Sequence, residues 1–177
     1  MRITLDQLNR GHLHVFDELS SLGLMSSHME DVKVFLAPFS WGCYGWQSYW
    51  GDGSICIPSI SIARLSDRLL KRPTCTLRDV LRHEWAHALA YHHHDLVCRK
   101  SFERAFDGQH DSEEPAREYC PSRHISEYAQ SEPSEDLAEN FMHYVRCRGV
   151  LPRKWQTPAI MKRWKFVEGL ARKVRCL

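Results

Sequence analysis

Between Thr76 and His93, apolar residues recur at Leu77, Val80, Leu81, Trp85, Ala88 and Leu89, the three- and four-residue spacing of one helix face. Thr76 precedes the run as a candidate N-cap, and Asp79 puts a negative charge near the positive end of the helix dipole. The pattern predicts a helix over 77–93. A second run, 134–147, carries Leu137, Phe141 and Tyr144/Val145 on one stripe, with Ser134 after Pro133 as the expected cap. A third, 157–174, aligns Ile160, Trp164, Val167, Leu170 and Val174. Residues 32–39 (VKVFLAPF) and 53–62 (GSICIPSISI) are rich in β-branched and aromatic side chains and read as strands. Pro58 has no N–H to give a sheet ladder, which places the second strand at an edge. Between them Trp41 to Trp50, with two Gly, three Trp and two Tyr, reads as a packed loop or hairpin. From Asp95 to Arg123 the chain is polar, with a short helix expected at 100–106 and a loop at 107–115 (DGQHDSEEP).

Strands mixed with helices in 177 residues imply one α+β domain, 1–177. The 43% apolar and 26% charged residues are ordinary for a globular chain. With 24 Lys and Arg against 22 Asp and Glu, the net charge of +2 argues against a nucleic-acid or membrane binder. No stretch approaches the ~18 to 20 apolar residues of a membrane helix, and Met1 to Phe16 has no apolar signal core. The seven cysteines are odd in number and form no CxxC pair, so neither a disulfide framework nor a four-cysteine zinc ribbon fits. Together these features predict a cytoplasmic protein with free thiols.

Histidine changes the picture: of eleven, five fall between His83 and His94. Residues 83–87 read His-Glu-Trp-Ala-His, an HExxH pattern inside the 77–93 helix. Residues four apart lie ~6 Å apart along a helix axis and ~40° apart around it, so the imidazoles of His83 and His87 can reach one ion. Glu84, beside the first of them, can then hold a metal-bound water without binding the metal itself.

A catalytic zinc site takes three protein ligands and leaves a fourth position for water. His93 stands six residues after His87, where HExxHxxGxxH sequences put a third histidine, but Ala90 occupies the place of the Gly that turns the chain. A helix continuing through Ala90 rotates His93 about 240° from His87, away from the ion. His92 to His94 then read as a solvated helix end suited to the negative dipole pole. Glu135 is the favoured third ligand. Glu135 and Glu139 are four apart on the 134–147 helix, so one carboxylate can bind metal while the other orients a ligating histidine. His124, in the segment RHISEYA, is a further candidate.

In this arrangement the chain resembles the gluzincin class of zincin metallopeptidases, which carry HExxH on one helix, a glutamate ligand on a later helix and an acidic residue four positions on. His83, Glu84, His87, Glu135 and Glu139 match that pattern. Ser126-Glu127-Tyr128-Ala129 followed by Glu135-Asp136-Leu137-Ala138-Glu139-Asn140-Phe141 is similar to the second-half motif of the anthrax lethal-factor-like peptidases. The resemblance spans about residues 76–145. It implies that Tyr128, seven residues before Glu135, points at the zinc. It also implies a zincin-like fold: a small mixed sheet packed on the HExxH helix, a second helix bearing the glutamates, and a C-terminal helix. The large substrate-recruiting domains of lethal factor have no counterpart in this sequence, and the chain looks like a compact bacterial zincin.

The expected function is therefore zinc-dependent hydrolysis of a peptide or protein substrate. Zn2+ on His83, His87 and Glu135 would lower the pKa of its water towards ~7, with Glu84 taking the proton and returning it to the leaving amine. The Tyr128 hydroxyl would meet the developing oxyanion. The 53–62 strand, as a sheet edge beside the site, would offer backbone groups to an extended peptide. Two alternatives stand beside this. Arg153 to Leu177 holds eight Lys or Arg, one acid and two Trp, which suits a DNA-associated metalloprotease or a nucleic-acid-binding protein. A zinc-retaining module that only binds a partner is the other, and the intact Glu84 argues against it.

Overall fold

The chain opens with a helix not anticipated above. In α1 (Leu5–Leu22) the Thr4 side chain accepts the Gln7 N–H while the Gln7 side chain accepts that of Thr4, a reciprocal cap. The buried face of α1 is Leu8, Gly11, Val15 and Leu19. The computed structural model describes residues 2–48, 51, 53–112 and 119–176, and among these it is a mixed α+β fold of seven helices and three strands.

The sheet is ordered β1-β3-β2. Strand β1 (Lys33–Ala37) runs parallel to β3 (Ser54–Pro58), and β2 (Gly45–Gln47) runs antiparallel to β3, pairing Gly45 with Cys56 and Gln47 with Ser54. Strand β3 is thus central, with every residue buried, and not at the edge that Pro58 suggested. The proline costs no ladder bond. Ser59 N–H donates to Ala37 O at 2.8 Å, so the Pro58 nitrogen faces the opposite side, beyond the last pairing of β2 at Cys56. Strand β1 stops at Ala37, short of the expected 39, and Phe39–Trp41 forms a 3₁₀ turn; within the expected loop or hairpin at Trp41 to Trp50 lies β2, and Tyr49 and Trp50 lie outside the described residues. The chain leaves the sheet at Ser59. Ser61 then caps α2 (Ile62–Leu70), a second helix not anticipated.

Helix α3 (Leu77–His92) starts at the Thr76/Asp79 capping box and runs through the middle of the molecule, packed against α1, α2, α6 and the sheet. It ends at His93, where α4 (His94–Val97) and α5 (Lys100–Phe106) follow. Of the loop expected at 107–115, residues 113–115 lie outside the described residues. Helix α6 (Pro133–Arg146) has Glu132, not Ser134, at its N-cap position, with Pro133 in its first turn and no side-chain cap. Proline needs no partner for its missing N–H there. Helix α7 (Pro158–Val174) is capped by Thr157 and buries the whole expected face, including Trp164, whose Nε1 donates to Gly149 O at 3.0 Å. Its basic residues do not all face water: Arg163 is fully buried, with Nε 2.6 Å from Asp136 Oδ2 on α6. No described helix is long and apolar enough to cross a membrane.

Candidate functional site

Helices α3 and α6 make the most extensive contact between helices, and the two carboxylates on α6 meet the two histidines on α3 across it. Glu135 Oε2 lies 3.0 Å from His83 Nε2 and 3.6 Å from His87 Nε2, and the two Nε2 atoms are 3.2 Å apart. Glu135 Oε2 is buried with no hydrogen bond aligned on it, although both imidazoles face it. Two nitrogens and one oxygen converging on a point, with the oxygen otherwise orphaned, fit a tetrahedral ion with one open position. Burial works to lower the His83 pKa, but Glu135 and Glu139 outweigh it and raise it to about 10. Burial likewise works to raise the Glu135 pKa, and His83 and His87 override it, holding the carboxyl well below the usual range.

Glu139 is completely buried and turns one oxygen, Oε1, to within 3.3 Å of His83 Nδ1. Its other oxygen receives the Arg72 guanidinium and the Ser126 hydroxyl. Burial opposes ionisation of Glu139, but its contacts with His83 and the charge of Arg72 keep its pKa depressed. A carboxylate held this way fixes the ring plane of a ligating histidine and raises its basicity. Sequence reasoning identified Glu139 but missed Arg72 and Ser126. Ser126 lies inside the SEYA run, whereas nothing local marks Arg72, which follows α2 and is 67 residues from its partner.

Glu84 points from α3 towards the sheet, and its Oε2 accepts the Trp46 N–H at 2.7 Å. Gly45 makes this approach possible. Its φ of 73° is left-handed, and a Cβ there would stand 2.6 Å from Glu84 Oε2. The edge strand beside the site is therefore β2; the 53–62 segment lies behind it as the central strand. Tyr128 sits in a 3₁₀ turn (Tyr128–Gln130) ahead of α6, its ring stacked on His83 with centroids 5.9 Å apart. Burial, then the charges of Glu135 and Glu84, push its phenol pKa far above the ordinary value, so it stays a neutral donor.

The other two candidate ligands lie elsewhere. His93 is buried with Nε2 2.8 Å from Ser26 Oγ, not at a solvated helix end, and burial followed by the charges of His28 and His92 lowers its pKa. His124 Nδ1 lies 3.1 Å from Asp136 Oδ2, on the side of α6 that holds Arg163. No protein-family model, curated protein or solved structure matches the chain, so the arrangement of these side chains is what bears on function.

Proposed function

We propose that this chain is a zinc-dependent metallopeptidase of gluzincin type, with His83, His87 and Glu135 as ligands. The observation that carries the reading is the convergence of Glu135 Oε2 with both HExxH imidazoles across the α3–α6 contact. A zinc ion held there would supply a polarising charge and a water acidified to about neutral pH. Glu84 would take the proton of that water and pass it to the leaving amine, with the Trp46 N–H keeping its carboxylate in place. Tyr128, neutral and stacked on His83, would donate its hydroxyl to the oxyanion. An extended substrate would lie beside β2, whose middle N–H is taken by Glu84 and is not offered to it.

The aromatic residues of the basic C-terminal region do not favour the nucleic-acid reading. Trp164 is buried, and Trp155 packs against His143 with centroids 4.5 Å apart and carries the Lys154 ammonium over its ring at 4.2 Å.

The test is metal content paired with cleavage of an unfolded peptide library. Zinc-loaded protein should cleave, lose activity to a chelator and regain it with Zn2+. His87→Ala and Glu135→Ala should each lower bound zinc by one equivalent per chain, while His93→Ala leaves it unchanged. Undiminished zinc in His87→Ala overturns the reading.

A further inference from the structure

A second group of metal-ligating side chains stands apart from the site just described. Helix α4 is a single turn, closed by the Cys98 N–H donating to His94 O at 2.9 Å, so His94 and Cys98 share a face four residues apart, as His83 and His87 do on α3. From the loop after α5, Asp111 brings Oδ2 to 3.1 Å from His94 Nε2. Cys98 Sγ is 3.1 Å from the same nitrogen and 3.4 Å from Nδ1. The three donor atoms lie within 4.8 Å of one another.

We propose that His94, Cys98 and Asp111 form a second Zn2+ site, with water in the remaining position. Three observations support it. First, a thiolate, an imidazole and a carboxylate are the sulfur, nitrogen and oxygen donors zinc accepts, and the two anions balance its charge. Second, the sulfur lies over the ring between both nitrogens, a poor direction for a hydrogen bond, and this exposed thiol is free to turn towards an ion at Nε2. Third, the outer oxygen of Asp111 is already fixed. His110 Nδ1 lies 2.6 Å from Oδ1, and the His110 ring packs edge-on against Phe102. That leaves Oδ2 aimed at His94, the orientation by a neighbouring group that metal ligands receive. His94 and Asp111 are both more than half exposed, so this ion would exchange more readily than one held by the buried His83. It would pin the loop after α5 to the end of the HExxH helix.

Cobalt separates the two sites, because only this one contains a thiolate. Metal-free protein titrated with Co2+ should develop a near-ultraviolet thiolate-to-cobalt charge-transfer band. The band should persist in His87→Ala, disappear in Cys98→Ser, and need at least tenfold more Co2+ in Asp111→Asn. Zn2+ should also protect Cys98 from alkylation, read at that residue by mass spectrometry. Absence of the band at saturating Co2+, or its survival in Cys98→Ser, overturns the proposal. Neither result bears on the zinc equivalent that depends on His87.

Discussion

At Glu84 a single oxygen accepts the Trp46 N–H, which fixes the carboxylate while leaving its second oxygen to exchange a proton. Glu84→Gln keeps the acceptor and removes the carboxylate proposed as the base. It should hold zinc at the wild-type level and lose at least about 10²-fold in turnover, the usual contribution of a positioned general base. Undiminished peptide cleavage would remove Glu84 from that role. In the proposed reaction Tyr128 would meet a charge that exists only in the transition state, so Tyr128→Phe should lower kcat on the order of 10²-fold with KM little changed. Its zinc content and melting temperature should stay at wild type; zinc loss would make the phenol a ligand or a prop. Arg72 lies outside the proposed ligand set, but its charge helps hold the Glu139 carboxylate that faces His83 Nδ1. Arg72→Gln should therefore weaken zinc affinity by about 10-fold or more. Equilibrium zinc competition measures this directly, and unchanged affinity would mean that Ser126 suffices to hold Glu139.

Among the elements, those with local signatures were legible in the sequence. Thr76 with Asp79, and Thr157 ahead of Pro158, mark α3 and α7, and an apolar stripe runs through each. Helix α1 carries an equally local cap, but Gly11 interrupts its buried stripe and the exposed Leu5 and Leu13 blur the period. The SISI alternation hid the start of α2 by extending the β3 pattern past Ser59. The central position of β3 depends on a partner strand of only three residues, a fact of tertiary pairing. The grouping of His83, His87 and Glu135 was legible because the two histidines are spaced within one helix and the resemblance pointed to Glu135 on another. The burial of Arg163 was not, because it rests on Asp136 of another helix, 27 residues away. Helix α7 docks through both that ion pair and its apolar face. Trp164→Ala should cost roughly 3 kcal/mol or more in urea unfolding, as large aromatic truncations in cores do. Wild-type stability in this variant would show that α7 contributes little to the fold.

Across the whole molecule, acidity should act through His143 before it reaches the carboxylates. Its ring is buried on α6 with neither nitrogen hydrogen-bonded, and burial lowers its pKa to about 4. The unfolded chain, with an ordinary histidine near ~6.5, binds more protons than the folded one between these values, so stability falls as pH drops through that window. The loss should be roughly 2 kcal/mol between pH 7 and pH 5. His143→Leu should flatten the slope, and equal slopes in the two proteins would place the sensitivity elsewhere. The Trp46 N–H has a consequence for self-association. An edge strand with free main-chain donors is a template on which another copy can add a strand. Strand β2 is three residues long, and Glu84 occupies the N–H of its middle residue, so this carboxylate also blunts the edge. A variant that lacks an acceptor at position 84, such as Glu84→Ala, should free that donor and self-associate more in light scattering than Glu84→Gln, which leaves it capped.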